Sequence, residues 1–281
     1  GAADMPVPPE ELVTMMFGAS IQVADRPSVP LGDPIFSMHD VSIEERLMEL
    51  DNLNLDMRQG EVVGIAGMEG SGQQTFLRGV CGMVQPSSGS VMLGGQDVTK
   101  KSYRQHLDAG MHYLPAGRLE EGLVEGLTMT EHFVLSDRST PGFFIDWDDA
   151  DAATRREINH FSIKGRADST AESLSGGNQQ RLLLAMLPDE LELLLMEHPT
   201  RGLDIESADW VWKQLLARRE GGTAIIFASS DLDELMRYSD RILVFFSGEV
   251  LAELDASATN VDEIGHLIGG RTANSGNGSS A

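Results

Sequence analysis

The 281-residue chain contains 41% hydrophobic and 23% charged residues. These values are typical of a globular domain and exclude a disordered or coiled-coil chain for most of the sequence. The net charge of −23 disfavours nucleic acid and anionic lipid surfaces as partners. The lone Cys81 permits no internal disulfide, which suits a reducing compartment such as the cytosol. No apolar run approaches the roughly 18 residues that a membrane-spanning helix needs.

The two ends of the chain differ in composition from the middle. Residues 1–34 are rich in proline, and only Glu10–Phe17 has helical spacing, so they are predicted to form an arm or linker. The start lacks the features of a secretory signal and is interpreted as a cloning remnant or an internal cut. Residues 269–281 are rich in glycine, serine and asparagine, which predicts a disordered tail.

The elements of the first half begin with two short apolar runs, Ile35–Val41 and Leu47–Leu55, both expected to be strands. A strand is predicted at Glu61–Ala66, followed by a glycine-rich loop and a helix at Gln73–Cys81. Two further strands are expected at Ser90–Leu93 and Gly110–Leu114, the second of which is closed by a proline.

The second half changes from helical to alternating patterns. Helical segments joined by turns predict an inserted helical subdomain over residues 118–173. Three near-continuous apolar runs then alternate with helices, as in a sheet buried on both faces: Leu191–Met196, Ile225–Ala228 and Ile242–Phe246. The order of strands and helices predicts a parallel α/β sheet with crossover helices.

The glycine-rich loop has the spacing of a phosphate-binding P-loop. It comprises Gly67, Met68, Glu69, Gly70, Ser71, Gly72, Gln73, Gln74 and Thr75. Such a loop curls its backbone N–H groups around phosphate at a helix N-terminus. The motif normally also supplies a lysine and a Mg²⁺-ligating hydroxyl, but Gln73 and Gln74 stand at those positions. Taken alone, the loop fits a strand-to-helix turn without phosphate equally well.

Three later motifs raise this loop to a family resemblance. The first is Leu174-Ser175-Gly176-Gly177-Asn178-Gln179-Gln180. The second is Glu197-His198-Pro199-Thr200-Arg201-Gly202-Leu203-Asp204. The third runs from Ser229-Ser230-Asp231 to Ser239-Asp240-Arg241-Ile242. In this order and spacing they resemble the signature, the Walker B segment with its D-loop, and the switch region of ATP-binding-cassette (ABC) ATPases.

The resemblance covers residues 35–268 and implies a P-loop NTPase fold: a parallel core sheet, an antiparallel β subdomain and an inserted helical subdomain. The chain is most similar to the degenerate C-terminal cassette of tandem importer ATPases for sugars or nucleosides, including those served by basic membrane lipoproteins. The arm at residues 1–34 is similar to the segment that joins the two cassettes in such proteins.

In this family ATP lies between two cassettes, and the resemblance implies that this chain's own half of the site is eroded. Glu197 stands at the Walker B aspartate position and His198 at that of the catalytic glutamate. Ala116 fills the Q-loop position and Ser230 the switch-histidine position. Glu197 and Gln74 are the remaining candidates for contact with Mg²⁺. Because phosphoryl transfer depends on positioned charges, negligible hydrolysis is expected, although neutral drift at a site already inactive gives the same pattern.

The half-site that faces the partner is intact. The resemblance implies that Ser175, Gly176, Gly177 and Gln179 contribute to binding ATP held by the other cassette, with Asp204 of the D-loop lining the same interface. A simple helix cap is the alternative interpretation of the Ser-Gly-Gly sequence.

The leading functional hypothesis is a transport-coupling subunit that binds ATP and Mg²⁺ weakly or not at all at its own P-loop. Its implied partners are a preceding cassette of the same polypeptide, permease subunits and, indirectly, a solute-binding lipoprotein, at the inner face of a bacterial plasma membrane. A non-hydrolysing regulatory cassette remains a second hypothesis. A non-transport ABC protein is a third, which the negative charge disfavours.

Overall fold

A computed structural model describes residues 29–137 and 144–271. Most of the expected arm at residues 1–34 and of the expected tail at residues 269–281 therefore lies outside the described residues. Within the described ranges, no helix is both long enough and apolar enough to cross a membrane.

Among the described residues, ten strands form two sheets. The antiparallel sheet has the order β2-β1-β4-β5, and the larger sheet has the order β10-β9-β3-β8-β7-β6. The strands of the first sheet are β1 Pro34–Glu45, β2 Met48–Arg58, β4 Ser88–Leu93 and β5 Gln96–Asp97. Those of the second are β3 Val62–Gly67, β6 Met111–Leu114, β7 Leu193–Glu197, β8 Ala224–Ala228, β9 Arg241–Phe246 and β10 Glu249–Asp255. Strands β9, β3, β8, β7 and β6 are parallel, and β10 joins β9 in antiparallel register.

Helices connect the parallel strands and cover the sheet. They are α1 Gln73–Val80, α2 Tyr103–Asp108, α3 Met129–Ser136, α4 Trp147–His160, α5 Gly176–Ala185, α6 Ile205–Glu220, α7 Leu232–Tyr238 and α8 Val261–Ile268. A π-helical turn at Arg118–Gly122 and a 3₁₀ turn at Ala171–Ser173 complete the described elements. Helices α6 and α7 are the crossovers from β7 to β8 and from β8 to β9, as the sequence predicts.

The core has two layers, one on each face of the parallel sheet. Because side chains alternate along a strand, Val62 faces the layer that contains α5 and α6, while Val63 faces the antiparallel sheet and α1. All five residues of β7 and of β8 are buried, which explains their near-continuous apolar sequence.

The topology places the site. The carboxyl ends of β3, β7 and β8 lie side by side because β8 pairs with both β3 and β7. The loop before α1, the residues after β7 and the residues after β8 therefore meet at one edge of the sheet, where open α/β sheets bind ligands. The β10 edge strand, the short β5 and helix α8 were not among the elements predicted from the sequence.

Candidate functional site

The P-loop has the backbone shape that its glycines require. Gly70 and Gly72 have φ of +84° and +113°, in the region that favours glycine. A Cβ at Gly72 would lie 2.6 Å from Leu50 Cδ2, so a side chain there would also have to displace Leu50 of β2. The loop leads directly into the N-terminus of α1, whose first N–H groups have no partner within the helix. The backbone can therefore cradle an anion.

The side chain of Gln73 turns back onto this loop. Its Nε2 donates to the Met68 carbonyl oxygen at 3.0 Å and lies directly against Gly67. A lysine at this position would bring a full positive charge to the bound phosphates, whereas the amide is neutral. The cradle thus keeps its backbone donors and lacks the charge that normally accompanies them.

Glu197, at the end of β7, is held by two neutral donors. The Tyr113 hydroxyl donates to Glu197 Oε1 at 2.6 Å, and Gln74 Nε2 donates to Oε2 at 3.2 Å. The carboxylate is buried, with 7% of the residue exposed. Burial and the bond to Glu197 raise the pKa of the Tyr113 hydroxyl, so it stays protonated and remains a donor.

This arrangement does not fit the Mg²⁺ ion that the family implies. A carboxylate accepts only the NH₂ end of an amide, so Gln74 presents donors, not an oxygen, to the space beside Glu197. Magnesium requires oxygen ligands at short distances in octahedral geometry. In the described part of the chain no group of three or more His, Cys, Asp or Glu residues has the geometry of a metal site.

The other positions predicted to be catalytic lie in the same cleft, which has a volume of about 570 Å³. His198 has φ of +46° and donates its N–H to the Ala228 oxygen at 2.7 Å. Burial, with a further contribution from Arg201, lowers the pKa of His198, so its imidazole is neutral near pH 7. Ala116 contributes only a methyl group, and Ser230 is exposed.

Charged groups line the mouth and wall of this cleft. Glu45 accepts from Thr75 Oγ1 at 3.0 Å and from Arg78 Nη1 at 3.1 Å. Burial opposes the charge of Arg78, but Glu45 and further acidic groups outweigh it and raise the pKa of the guanidinium. The hydroxyl of Thr75 and the charge of Arg78 are therefore both committed to Glu45.

A buried carboxylate connects the loops that follow β7 and β8. Glu234 accepts from Thr200 Oγ1 at 2.6 Å, from Trp212 Nε1 at 2.8 Å and from Ser229 Oγ at 2.5 Å. The backbone N–H of Asp231 donates to the same Ser229 hydroxyl at 3.1 Å. The network fixes the switch loop relative to the D-loop, and sequence reasoning did not single out Glu234.

The signature residues lie outside the P-loop cleft, at the N-terminus of α5. Ser175 is exposed and is the N-cap of this helix, and its Oγ accepts from Asn178 Nδ2 at 2.8 Å. Gln179 is buried and donates to the Ala171 and Leu174 carbonyl oxygens, each at 3.2 Å. The side chain of Gln179 therefore supports the signature loop from below, while Ser175 presents its surface.

The D-loop packs beside this helix. A Cβ at Gly177 would lie 2.7 Å from Ser207 Oγ, so α5 and α6 approach closely there. Asp204 is the N-cap of α6 and accepts from Ser207 N and Ser207 Oγ, both at 2.9 Å. These bonds lower the pKa of the Asp204 carboxyl. The carboxylate of Asp204 thus has a capping role within the cassette itself.

Arg118 joins the two regions. Its Nη1 donates to the Arg201 carbonyl oxygen at 3.0 Å, and Nη2 lies 3.3 Å from where a Cβ of Gly176 would be. Burial lowers the pKa of Arg118, although Glu120 opposes the shift.

The residues singled out from the sequence thus fall into two groups. One group lines the cleft: Gly67, Gly70, Gly72, Gln73, Gln74, Thr75, Ala116, Glu197, His198 and Ser230. Ser71 is buried beneath the loop and accepts from Gly248 N at 3.0 Å. The other group, at the start of α5 and α6, does not line this cleft. Tyr113 was not predicted as a site residue. Its hydroxyl in a mainly apolar strand, just before the predicted Q-loop position, could have indicated a polar contact there.

The fold and the motifs define an ATP-binding cassette, and comparison with known proteins agrees. The model of the ABC transporter family matches residues 50–201. The chain therefore belongs to the ABC transporter family. A solved ATP-binding subunit of an ABC transporter superposes with a TM-score of 0.68 at 20% identity, covering 84% of this chain and 99% of its own.

Two curated relatives are import proteins. The nucleoside import ATP-binding protein NupA of Lactococcus lactis is 31% identical over 94% of this chain and 54% of its own length. The glucose import ATP-binding protein TsgD13 of Haloferax volcanii is 34% identical over 94% of this chain and 50% of its own length. The chain thus spans about half the length of the curated relatives that it matches.

Proposed function

We propose that this chain is the non-hydrolysing cassette of a tandem ABC importer ATPase for a sugar or a nucleoside. Its signature face completes an ATP site whose P-loop and catalytic groups belong to the other cassette. The observation that carries the proposal is Glu197, whose two oxygens accept from Tyr113 and Gln74 beside a P-loop without lysine.

The pocket lacks the groups that hydrolysis needs. Next to Glu197 stands a neutral imidazole instead of a carboxylate, and the positions of the Q-loop and switch residues hold Ala116 and Ser230. Loss of one well-placed catalytic donor typically lowers a rate by on the order of 10²–10³. Removal of several groups that act as a unit leaves little catalysis, even though the effects do not simply multiply.

The signature residues keep the groups that would contact ATP held by another cassette. The N-terminus of α5 is accessible at Ser175, and the bonds from Gln179 and Asn178 fix the loop that presents it. A helix N-terminus with free N–H groups and a hydroxyl suits a γ-phosphate held by a second cassette.

The half-length match to the relatives supports a preceding cassette of the same polypeptide as the partner. The import functions in the relatives' names support permease subunits as membrane partners and a solute-binding lipoprotein as an indirect one. The protein would then act at the inner, cytoplasmic face of a bacterial plasma membrane.

The test compares both faces within the full-length protein that carries two cassettes. Ser175→Arg places a bulky side chain at an exposed N-cap and should lower the ATPase kcat by at least about 100-fold. His198→Ala lies in the non-hydrolysing cleft and should change kcat by less than about twofold. Gly177→Asp is a less clean probe, because any side chain there meets Ser207.

Circular dichroism and thermal unfolding check that both variants fold. The assignment of the two faces is reversed if His198→Ala abolishes turnover while Ser175→Arg retains it. As a second measurement, the isolated chain should hydrolyse ATP at the background rate.

A further inference from the structure

We infer that the cleft of this cassette binds nucleotide phosphates without a magnesium ion, so that the metal-free nucleotide is its ligand. The inference rests on the proposed function for the identity of the ligand class, a nucleoside di- or triphosphate. It goes further by assigning the form in which that nucleotide is bound and the side chains that replace the metal.

The donors around Glu197 exclude the metal. In the cleft, the position that normally supplies a hydroxyl ligand presents the NH₂ group of Gln74, 3.2 Å from Glu197 Oε2. The other Glu197 oxygen accepts from Tyr113 at 2.6 Å. A cation placed between the P-loop helix and β7 would meet the NH₂ group of Gln74 and would compete with both donors for the Glu197 oxygens.

Arginine side chains supply the positive charge of the cleft. Three arginines line the cleft: Arg46, Arg78 and Arg201. Arg78 is paired with Glu45, at 3.1 Å, and its charge is largely compensated. Arg46, at the tip of the β1–β2 hairpin, and Arg201, after β7, form no ion pair with any residue that the structure describes. Their guanidinium groups are available to phosphate oxygens, which arginine binds through paired N–H donors.

Acidic side chains share the cleft with these arginines. Glu45, Glu69 and Glu197 also line the cleft. The backbone N–H groups at the N-terminus of α1 add donors without adding charge. With Glu45 paired to Arg78, Glu69 and Glu197 balance Arg46 and Arg201, so the cleft has no net positive charge. Phosphate binding there rests on hydrogen bonds from the backbone and from the two arginines that form no ion pair, and none of these donors requires a metal. Nucleotide affinity at this cleft is therefore indifferent to Mg²⁺ or decreases when the metal is added.

The experiment titrates the chain with a fluorescent N-methylanthraniloyl derivative of ATP, once with excess Mg²⁺ and once with EDTA. The expected result is saturable binding in both, with a Kd in EDTA equal to or lower than that in Mg²⁺. Arg201→Ala should weaken binding in EDTA about tenfold, the size of one charge-assisted contact. The matched control is Arg155→Ala, which removes an exposed arginine of α4 paired with Asp151, and it should leave the Kd unchanged.

Binding at least about tenfold tighter in Mg²⁺ would overturn the inference, as would the absence of saturable binding in both buffers. The double variant Gln74→Ser, Tyr113→Phe gives a second readout. It restores a hydroxyl and removes the donors to both Glu197 oxygens, so Mg²⁺ should now tighten binding; no change in metal response would contradict the exclusion of the metal. These outcomes are independent of the two-cassette ATPase test, which reports on the signature face and not on this cleft.

Discussion

Replacing Glu234 with alanine should strongly destabilise the cassette, because three donors converge on this one buried carboxylate. The residue is 7% exposed and accepts from Thr200, Trp212 and Ser229. The two hydroxyls can turn toward other acceptors, but the indole N–H of Trp212 is fixed by packing, with 2% of the residue exposed. A buried donor left without a partner costs about 1–3 kcal/mol, and more when the lost acceptor was charged.

We therefore expect Glu234→Ala to lower the free energy of unfolding by about 3–5 kcal/mol, the range for breaking a buried charged network. Glu234→Gln keeps the shape and an oxygen for Trp212 and Thr200, and disturbs only the bond with Ser229. Its cost should be about 1 kcal/mol, the net value of one hydrogen bond. The difference between the two variants isolates the network from the loss of volume.

The assay is urea unfolding followed by tryptophan fluorescence, for which Trp212, stacked on Tyr238 at 3.8 Å, is a direct reporter. Glu249→Ala, which removes an exposed carboxylate from β10, is the control and should stay within about 0.5 kcal/mol of the unaltered chain. An alanine cost below about 1 kcal/mol, or equal costs for alanine and glutamine, would refute the assigned network.

Two further predictions concern titratable groups. Burial lowers the pKa of His198 below its ordinary value of 6.5. As the pH falls below 6.5, the imidazole takes up a proton in the unfolded chain before it does so in the folded chain. The contribution of neutral His198 to the free energy of unfolding should therefore be complete above pH 6.5 and decrease below it. Unfolding free energies at about pH 7.5 and about pH 5 should therefore differ less in His198→Gln than in the unaltered chain, and equal differences would contradict the shift. Burial raises the pKa of Cys81 to about 12, so a thiol-specific disulfide reagent at about pH 8 should react with the chain only in denaturant. Rapid reaction of the folded chain would show that this thiol is accessible.

The sequence predicted the order of the elements that build the cleft. The strand at Glu61–Ala66, the glycine loop and the helix from Gln73 are present nearly as expected, because apolar runs and glycines with positive φ are local signals. The buried runs at Leu191–Met196 and Ile225–Ala228 are also strands, for the same reason.

The contacts that define the chemistry were not predictable in this way. Tyr113 and Glu197 are 84 positions apart and meet only because β6 pairs with β7. For Gln179, the motif predicts a part in binding ATP held by the other cassette, and only the structure shows that its side chain is buried and donates to the Ala171 and Leu174 carbonyl oxygens. A motif identifies which residue types come together, whereas the direction of each side chain depends on the strand order and on neighbouring loops.

The supports of the signature loop have a consequence for how such a cassette can change over evolutionary time. Gln179 and Asn178 hold that loop through carbonyl oxygens and its own serine, Arg118 lies beside Gly176, and none of the three lines the P-loop cleft. Arg118 reaches toward the cleft only through the backbone of Arg201, which any residue type at that position preserves. Under the proposed function, side chains in the cleft can therefore be exchanged one after another without disturbing the surface at the N-terminus of α5, so a lineage can lose hydrolysis at one site and keep it at the other.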